Sequence, residues 1–268
     1  MMFTKKLCLA IIILFGSIKI NAQQVDTVLN KKNDSAVIAF NRAMQPTRQK
    51  QNVAKSFIAP ALMLGYGLIA INSRPLLNLN EDLKKDFWTN NPHAKFHLDN
   101  YLQFAPAAAV YALNIAGVKG KNNFRDRSMI YFISNVFLST TVYSIKSITK
   151  IERPDGSANN SFPSGHTAEA FASAEFLRQE YKDISGWYGV AGYVAATATG
   201  LLRMYNNKHW FSDVVAGAGV GIAATKLAYI VYPAIRKKLF PKKTESHTVI
   251  MPFYQNKQGG FSMLYQFN

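Results

Sequence analysis

The stretch Ser-Phe-Pro-Ser-Gly-His-Thr, at residues 161–167, lies directly ahead of an Ala-rich segment whose composition predicts a helix. The backbone N–H groups of Ser164 and Gly165 should therefore lie at or near a helix N-terminus, where unpaired N–H groups form a ready-made anion site. His166 lies at the same corner and can give a proton to a bound anion or take one from it. The stretch predicts a chemically active site, although the sequence Pro-Ser-Gly on its own is also common in ordinary turns.

The N-terminus of the chain has the features of an export signal. Lys5 and Lys6 precede an apolar run over residues 7–15, and residues 20–22 (Ile-Asn-Ala) offer a cleavage site. Because isoleucine fits the first position of such a site less well than alanine, we expect residues 1–22 to be either a cleaved signal peptide or an uncleaved anchor.

Composition limits the chemistry and the partners. Cys8 is the only cysteine and lies inside the apolar run, so a cleaved protein would have no disulfide, no thiolate nucleophile and no cysteine-ligated zinc. The net charge of +16 is compatible with nucleic acid, an anionic lipid surface or a phosphate-bearing substrate. Export argues against nucleic acid, and basic clusters beside apolar segments are typical of juxtamembrane charge.

After a polar lead-in over residues 23–55, apolar segments recur along a domain that we place at 56–240. Each is rich in Ala, Gly, Ser or Thr, which favours helices packed closely together. Most have 15 to 18 residues, at or just below the roughly 17–25 residues that cross a bilayer. A helix over 167–181 carries charged residues and so has at least one face that cannot contact lipid. The apolar segments are 57–71, 104–118, 129–145, 187–202 and 214–235.

These patterns predict an all-α fold, a helical bundle of about five to six apolar helices embedded in a membrane. The tail over 241–268 alternates weakly around a Gly-containing turn at 255–260 and predicts a short β-hairpin. The chain is 268 residues long with 49% hydrophobic residues, enough for one domain with a large core.

Charge placement predicts a topology in which the candidate residues share one face. Basic residues at 119–127 and 236–243 would lie inside, and 146–166 and 203–213 would emerge on the exported side. A spanning segment at 57–71 would invert this order if the signal is cleaved. That segment is therefore interfacial or buried, or the first helix remains as an anchor.

Cations lie upstream of the opening stretch. Lys146, Lys150 and Arg153 would share one helical face, and Pro154 would end that helix. Cations on one face repel one another unless an anion lies among them. A snorkelling basic helix end is the alternative interpretation.

Downstream, His209 and Asp213 are four residues apart, close enough to pair on one helical turn. The carboxylate could then fix the tautomer of the imidazole, or Asp213 or Ser212 could cap the helix, and both roles can hold together. The sequence has no HExxH spacing and no paired-carboxylate cluster, so we expect no metal and no other cofactor.

Three motifs in this order resemble the signature motifs of the type 2 phosphatidic acid phosphatase family, whose active site is similar to that of vanadium haloperoxidases and bacterial class A acid phosphatases. They are Lys-x6-Arg-Pro from Lys146, Pro-Ser-Gly-His ending at His166, and Arg-x5-His-x3-Asp from Arg203. Together they span residues 146–213. Leu202 stands where the family usually has serine, a change that could remove one supporting hydrogen bond.

The resemblance implies roles for individual residues. His209 would be the nucleophile that forms a phospho-histidine, and Asp213 would orient it. His166 would protonate the leaving oxygen and later activate water. The phosphate would be held by Lys146, Arg153, Ser164, Gly165 and Arg203.

The resemblance favours a metal-independent phosphatase of lipid phosphate monoesters or diphosphates. Its substrate would be phosphatidic acid, phosphatidylglycerol phosphate, a polyprenyl diphosphate or lipid A phosphate. It would lie in the inner membrane of a bacterial-type envelope with its site on the periplasmic side. The alternatives are a soluble exported acid phosphatase of broad specificity and a non-catalytic relative that binds anionic lipid. The sequence makes no prediction of the oligomeric state.

Overall fold

The computed structural model describes residues 53–240, 248–255 and 258–265, so the predicted signal or anchor at 1–22 and most of the lead-in at 23–55 lie outside the described residues. The described part is a helical bundle, as predicted, followed by two strands. Its elements are α1 Val53–Ser56, α2 Ile58–Ala70, α3 Arg74–Lys84, a π-helical turn Lys85–Thr89, α4 Asp99–Leu102, α5 Ala105–Ile115, α6 Phe124–Thr149, α7 Gly165–Tyr181, α8 Gly186–Tyr205, α9 Phe211–Leu239, β1 Thr248–Gln255 and β2 Gln258–Tyr265.

The helix α7 lies at the centre of the bundle. Its small residues Ala168, Ala170, Ala172 and Ala174 are buried, which lets α8 and α9 pack against different faces. The predicted corner is confirmed, because Ser164 is the N-cap of this helix. The segment 161–167 therefore ends a connection and starts the central helix.

Close backbone contact joins α7 to α9. A Cβ atom placed on Gly221 would lie 2.1 Å from the carbonyl oxygen of Ala168, and one on Gly217 would lie 2.5 Å from that of Ser164. No side chain larger than hydrogen fits at these positions without moving a helix backbone. The N-terminal ends of α7 and α9 are consequently held next to each other.

The helix α6 ends earlier than predicted. Lys150 adopts a left-handed conformation with φ 48° and caps the helix after Thr149. The predicted shared helical face of Lys146, Lys150 and Arg153 was therefore wrong, since Arg153 lies in the connection that follows. Its N–H donates to the carbonyl of Ala158 at 3.0 Å, which folds this connection back on itself.

The two ends of the bundle are held by different contacts. At the end away from residues 161–167, Glu180 of α7 accepts two hydrogen bonds, each at 2.6 Å. One comes from Asn122, which lies just before α6, and the other from Tyr229 of α9. At the same end, Asp126 of α6 pairs with Arg236 of α9 at 3.4 Å. The C-terminus of α6 and the N-termini of α7 and α9 meet at the opposite end, which carries the candidate residues.

Among the described residues, two helices, α6 with 26 residues and α9 with 29 residues, are long and apolar enough by length and composition to cross a membrane. The segment predicted over 57–71 forms α2, whose 13 residues span roughly 20 Å, less than the roughly 30 Å of a bilayer core. Large apolar side chains are exposed on the outer faces of several helices. They include Ile58, Leu62, Ile69, Ile115, Phe132, Tyr143, Ile148, Trp187, Val194 and Ile230.

The C-terminal tail contains two antiparallel strands, with Thr248 paired to Tyr265 and Gln255 to Gln258. Gly259 and Gly260, which the sequence placed in the turn, pair within the ladder with Tyr254 and Phe253.

Replacing Gly221 with alanine should destabilise the fold, because the added methyl meets backbone atoms of α7 that no rotamer change can move. We expect a loss of about 1–3 kcal/mol, seen as a thermal midpoint several degrees lower. Gly65→Ala is the matched control, since a Cβ there meets nothing within 4 Å. Alanine inside a helix is favoured over glycine, so the control should match or exceed the parent. Equal midpoints for the two variants would contradict the backbone contact.

Candidate active site

The carboxylate of Asp213 accepts three of the hydrogen bonds that hold the site together. Its Oδ2 accepts from the Ser161 hydroxyl at 2.5 Å, from the Trp210 N–H at 3.0 Å and from His209 Nδ1 at 3.2 Å. The predicted pairing of His209 with Asp213 is confirmed, although His209 lies two residues ahead of α9. Asp213 also bonds the N–H that precedes its helix, so the orienting and capping interpretations both hold.

The bond to Asp213 fixes the tautomer of His209. Because a carboxylate only accepts, Nδ1 carries the hydrogen and Nε2 keeps its lone pair. The His209 side chain is 2% exposed. Burial lowers its pKa to about 4, against the opposing pull of Asp213. The ring is thus neutral at pH 7 and has one nitrogen suited to nucleophilic attack.

Ser161 is a site residue that the motif assignment missed. Its hydroxyl is fully buried, donates to Asp213 and lies 3.4 Å from His209 Nδ1. It therefore shares the orienting role with the carboxylate. The residue stood in the opening stretch, but its spacing to the distant Asp213 gave no local signal.

His166 lies on the first turn of α7 and is partly buried. Its Nε2 is 2.9 Å from Oδ1 of Asn100. Burial and then the charge of Arg203 lower its pKa to about 4, with smaller effects in the same direction from Arg153 and Lys146. The histidine therefore lies within the electrostatic reach of all three predicted phosphate-binding cations.

The backbone N–H of Ser164 is already engaged. Its N–H donates to the Asp213 carbonyl at 3.0 Å, and its Oγ accepts from the hydroxyl of Thr167 at 2.9 Å. The expectation that this N–H is open to an anion is therefore not met. The N–H of Gly165, by contrast, has no acceptor among the described residues. Of the two backbone N–H groups at this corner, that of Gly165 is therefore the one left open among the described residues.

The three cations are held by carbonyl, amide and carboxylate oxygens. Lys146 Nζ donates to the Ser161 carbonyl at 3.2 Å, and Arg153 Nε donates to Asn160 Oδ1 at 2.8 Å. Arg203 Nη1 donates to Asp99 Oδ2 at 2.5 Å. Burial, and then the charge of Arg203, lower the pKa of Arg153. Such mutual repulsion is relieved when an anion binds among the cations.

Arg203 also has an unsatisfied donor. Its Nε is buried and has no hydrogen-bond partner within the described part of the chain. A buried donor left unpaired costs about 1–3 kcal/mol, so native proteins rarely keep one without a reason. An anion bound at this guanidinium would satisfy it.

Three further residues reach the site from regions that the sequence left unassigned. Asn80 of α3 exchanges two bonds with Ser212, its Nδ2 donating to Oγ at 2.9 Å and its Oδ1 accepting from the N–H at 3.1 Å. It thereby caps α9 from a distant part of the chain. Asp99 contacts Arg203, and Asn100 contacts His166. All three pairs are separated by more than sixty residues in sequence, so no local spacing could reveal them.

Residues 121–237 match the family model described as the PAP2 superfamily. This segment carries all three motifs, and it is a PAP2 superfamily domain. The resemblance to the type 2 phosphatidic acid phosphatase family is therefore confirmed.

Two named proteins are similar to parts of the chain. The lipid A 1-phosphatase of Porphyromonas gingivalis is 37% identical over 153 residues, which are 57% of this chain and 34% of that protein. The bacitracin transport permease protein BcrC of Bacillus licheniformis is 32% identical over 102 residues, 33% of this chain and 48% of that protein. The chain thus spans less than half the length of either relative.

Two solved structures are also similar. The crystal structure of Aquifex aeolicus LpxE has a TM-score of 0.44 and 21% identity, covering 57% of this chain and 95% of that one. The first transmembrane PAP2 type phosphatidylglycerolphosphate phosphatase from Bacillus subtilis has a TM-score of 0.41 and 17% identity, covering 69% and 99%.

The lowered pKa of His209 predicts an acid-sensitive fold. The unfolded chain takes up the proton near the ordinary pKa of 6.5, and the folded chain only near 4, so stability is lost as the pH falls through this window. We expect the thermal midpoint to fall less between pH 7 and 4.5 in His209→Gln than in the parent. His97→Gln, at an exposed histidine, is the control and should keep the parent's slope. Identical slopes for all three proteins would contradict a buried neutral His209.

Proposed function

We propose that the chain is a metal-independent phosphatase that hydrolyses lipid phosphate monoesters or diphosphates through a phospho-histidine. The observation that carries this proposal is the state of His209: Nδ1 is bound to Asp213 at 3.2 Å, which leaves Nε2 unprotonated in a group of cations. A binding module has no use for an oriented nucleophile.

In the first step, Lys146, Arg153 and Arg203, with the N–H of Gly165, hold the phosphate oxygens. His209 Nε2 attacks phosphorus, the bond from phosphorus to the ester oxygen breaks, and that oxygen takes a proton from His166. In the second step His166 accepts a proton from water, which attacks phosphorus and releases His209. The charge on the phosphoryl oxygens is balanced by side chains throughout.

The low pKa of His166 is compatible with its role as an acid. Arg203, Arg153 and Lys146 contribute to the lowering, and a bound phosphate dianion opposes the effect of those same charges. Binding of the substrate therefore raises the proton affinity of His166 at the moment when a proton is needed. In the free protein the same residue is neutral.

A lipid substrate is supported by the relative named lipid A 1-phosphatase and by the exposed apolar side chains around the bundle. Apolar surface on this scale is typical of contact with a membrane or a partner. We place α6 and α9 across the membrane, in a phosphatase domain at 56–240. The site lies at the end where α6 stops and α9 starts, so it would meet a headgroup at the membrane surface.

We place this end on the exported side. The opposite end carries exposed Arg125 and Lys119 and the last-turn residues Arg236, Lys237 and Lys238 of α9. Such a cluster favours the cytoplasmic face. In a bacterial-type envelope the site would then open to the periplasm.

The mechanism predicts a dependence on the leaving group. His166→Ala should slow release from a lipid phosphate by about 10²–10⁴-fold. It should slow the first step much less with an aryl phosphate, whose oxygen leaves without a proton. Because water is then activated poorly, acid-labile phosphate should accumulate on the protein. Phosphate release with EDTA present, and rapid-quench labelling, would measure both effects.

His209→Ala is the control for the covalent step and should lose both phosphate release and labelling. Activity that survives in this variant would mean that another group is the nucleophile. Strong preference for the aryl phosphate over every lipid would favour the broad-specificity acid phosphatase. A folded protein that binds orthovanadate but releases no phosphate would favour the non-catalytic relative.

Sidedness can be tested with single cysteines in a Cys8→Ser background. Asn159 is exposed in the connection near the site, and Lys119 is exposed near the other end. In spheroplasts, an impermeant maleimide should label Asn159→Cys at once and Lys119→Cys only after permeabilisation. The reverse pattern would place the site in the cytoplasm, and equal labelling of the two would favour a soluble exported protein.

A further inference from the structure

The segment 93–100 precedes the family domain and is bound firmly to the C-terminal end of α8. Asn206 exchanges two bonds with the backbone of Phe96, accepting from its N–H and donating to its carbonyl, both at 2.8 Å. The ring of His93 stacks on Tyr205 at 3.6 Å, and its Nε2 lies 2.9 Å from the Tyr205 carbonyl. The segment is therefore held against the helix that carries Arg203.

Asp99 is the first of two residues that this segment brings to the site. Its side chain is fully buried, with Oδ2 accepting from Arg203 Nη1 at 2.5 Å and Oδ1 accepting from Asn206 at 3.3 Å. A buried carboxylate is costly unless it is paired. Here it fixes the planar guanidinium through one nitrogen, while the buried Nε has no partner among the described residues.

Asn100 is the second residue that this segment brings to the site. Its Oδ1 lies 2.9 Å from Nε2 of His166, while Nδ1 of that ring has no partner in the described part of the chain. Through this oxygen the amide accepts from Nε2–H, which is present in both the neutral and the charged ring when Nδ1 is the nitrogen that gives and takes the proton. It can therefore orient His166 in either charge state, as a residue that is first an acid and then a base requires.

We propose that segment 93–100 is part of the active site, in which Asp99 positions Arg203 for the phosphate and Asn100 positions His166 for proton transfer. The proposal rests on the phosphatase function proposed above. It makes Asp99 and Asn100 positioning residues that lie outside the matched domain and outside all three motifs. The leaving oxygen would be protonated from Nδ1, since Nε2 is held by Asn100.

The two residues should have different kinetic signatures. Asn100→Ala should lower kcat/KM for a lipid phosphate by about 10- to 100-fold and leave kcat/KM for an aryl phosphate nearly unaffected, because kcat/KM reports the first step, in which only the lipid leaving group needs the proton. Asn100→Asp adds a negative charge beside His166, raises its pKa and should shift the basic limb of the pH profile upward. Asp99→Asn should lower kcat/KM for both substrates by a similar factor, because it disturbs the phosphate and not the leaving group.

His97→Ala, at an exposed position of the same segment, is the control and should match the parent. An equal loss of kcat/KM on both substrates in Asn100→Ala, or no loss at all, would overturn the role of Asn100. Unchanged kcat/KM in Asp99→Asn would overturn that of Asp99.

Two measurements without turnover separate this proposal from the phosphatase function. In ¹⁵N-histidine spectra, His166 should be protonated at Nε2 in the parent and lose that preference in Asn100→Ala. Calorimetry should show weaker orthovanadate binding in Asp99→Asn than in His97→Ala. If the parent releases no phosphate while both results hold, the function fails and the positioning stands. If the parent is active and neither result is found, the positioning fails alone.

Discussion

The structure depends on one carboxylate oxygen. Oδ2 of Asp213 accepts from a serine before α7, from a histidine before α9 and from the backbone at the start of α9, while the Asp213 carbonyl accepts from Ser164. Buried charge is unfavourable unless donors surround it, and these donors come from two connections far apart in sequence. The end of the bundle and the position of His209 therefore depend on the same group of hydrogen bonds.

Much of the fold follows from local pattern. The apolar segments form α2, α5, α6, α8 and α9, and the four-residue spacing of His209 and Asp213 gives a real hydrogen bond. Spacing of this kind works because residues one helical turn apart are neighbours whatever the rest of the chain does.

What the sequence did not reveal depends on long-range pairing. Asn80, Asp99 and Asn100 meet their partners across 132, 104 and 66 residues, and no periodicity connects such positions. The end of α6 was misplaced because Pro154 marks the latest possible stop, whereas Lys150 turns left-handed earlier. The N–H of Ser164 was expected to bind an anion, since nothing local shows that a distant carbonyl takes it first.

The close contact of α7 and α9 at two glycines limits which parts of the site protein engineering can alter. His166 lies in the first turn of α7, and His209 lies two residues before α9. The two backbones touch at Gly217 and Gly221 without an intervening layer of side chains. The relative placement of the two histidines can hardly be adjusted by repacking. Segment 93–100 and α3 reach the site through side chains, so substitutions there can change its contacts without moving α7 or α9. The adjustable part of the site thus precedes the segment that matches the family model.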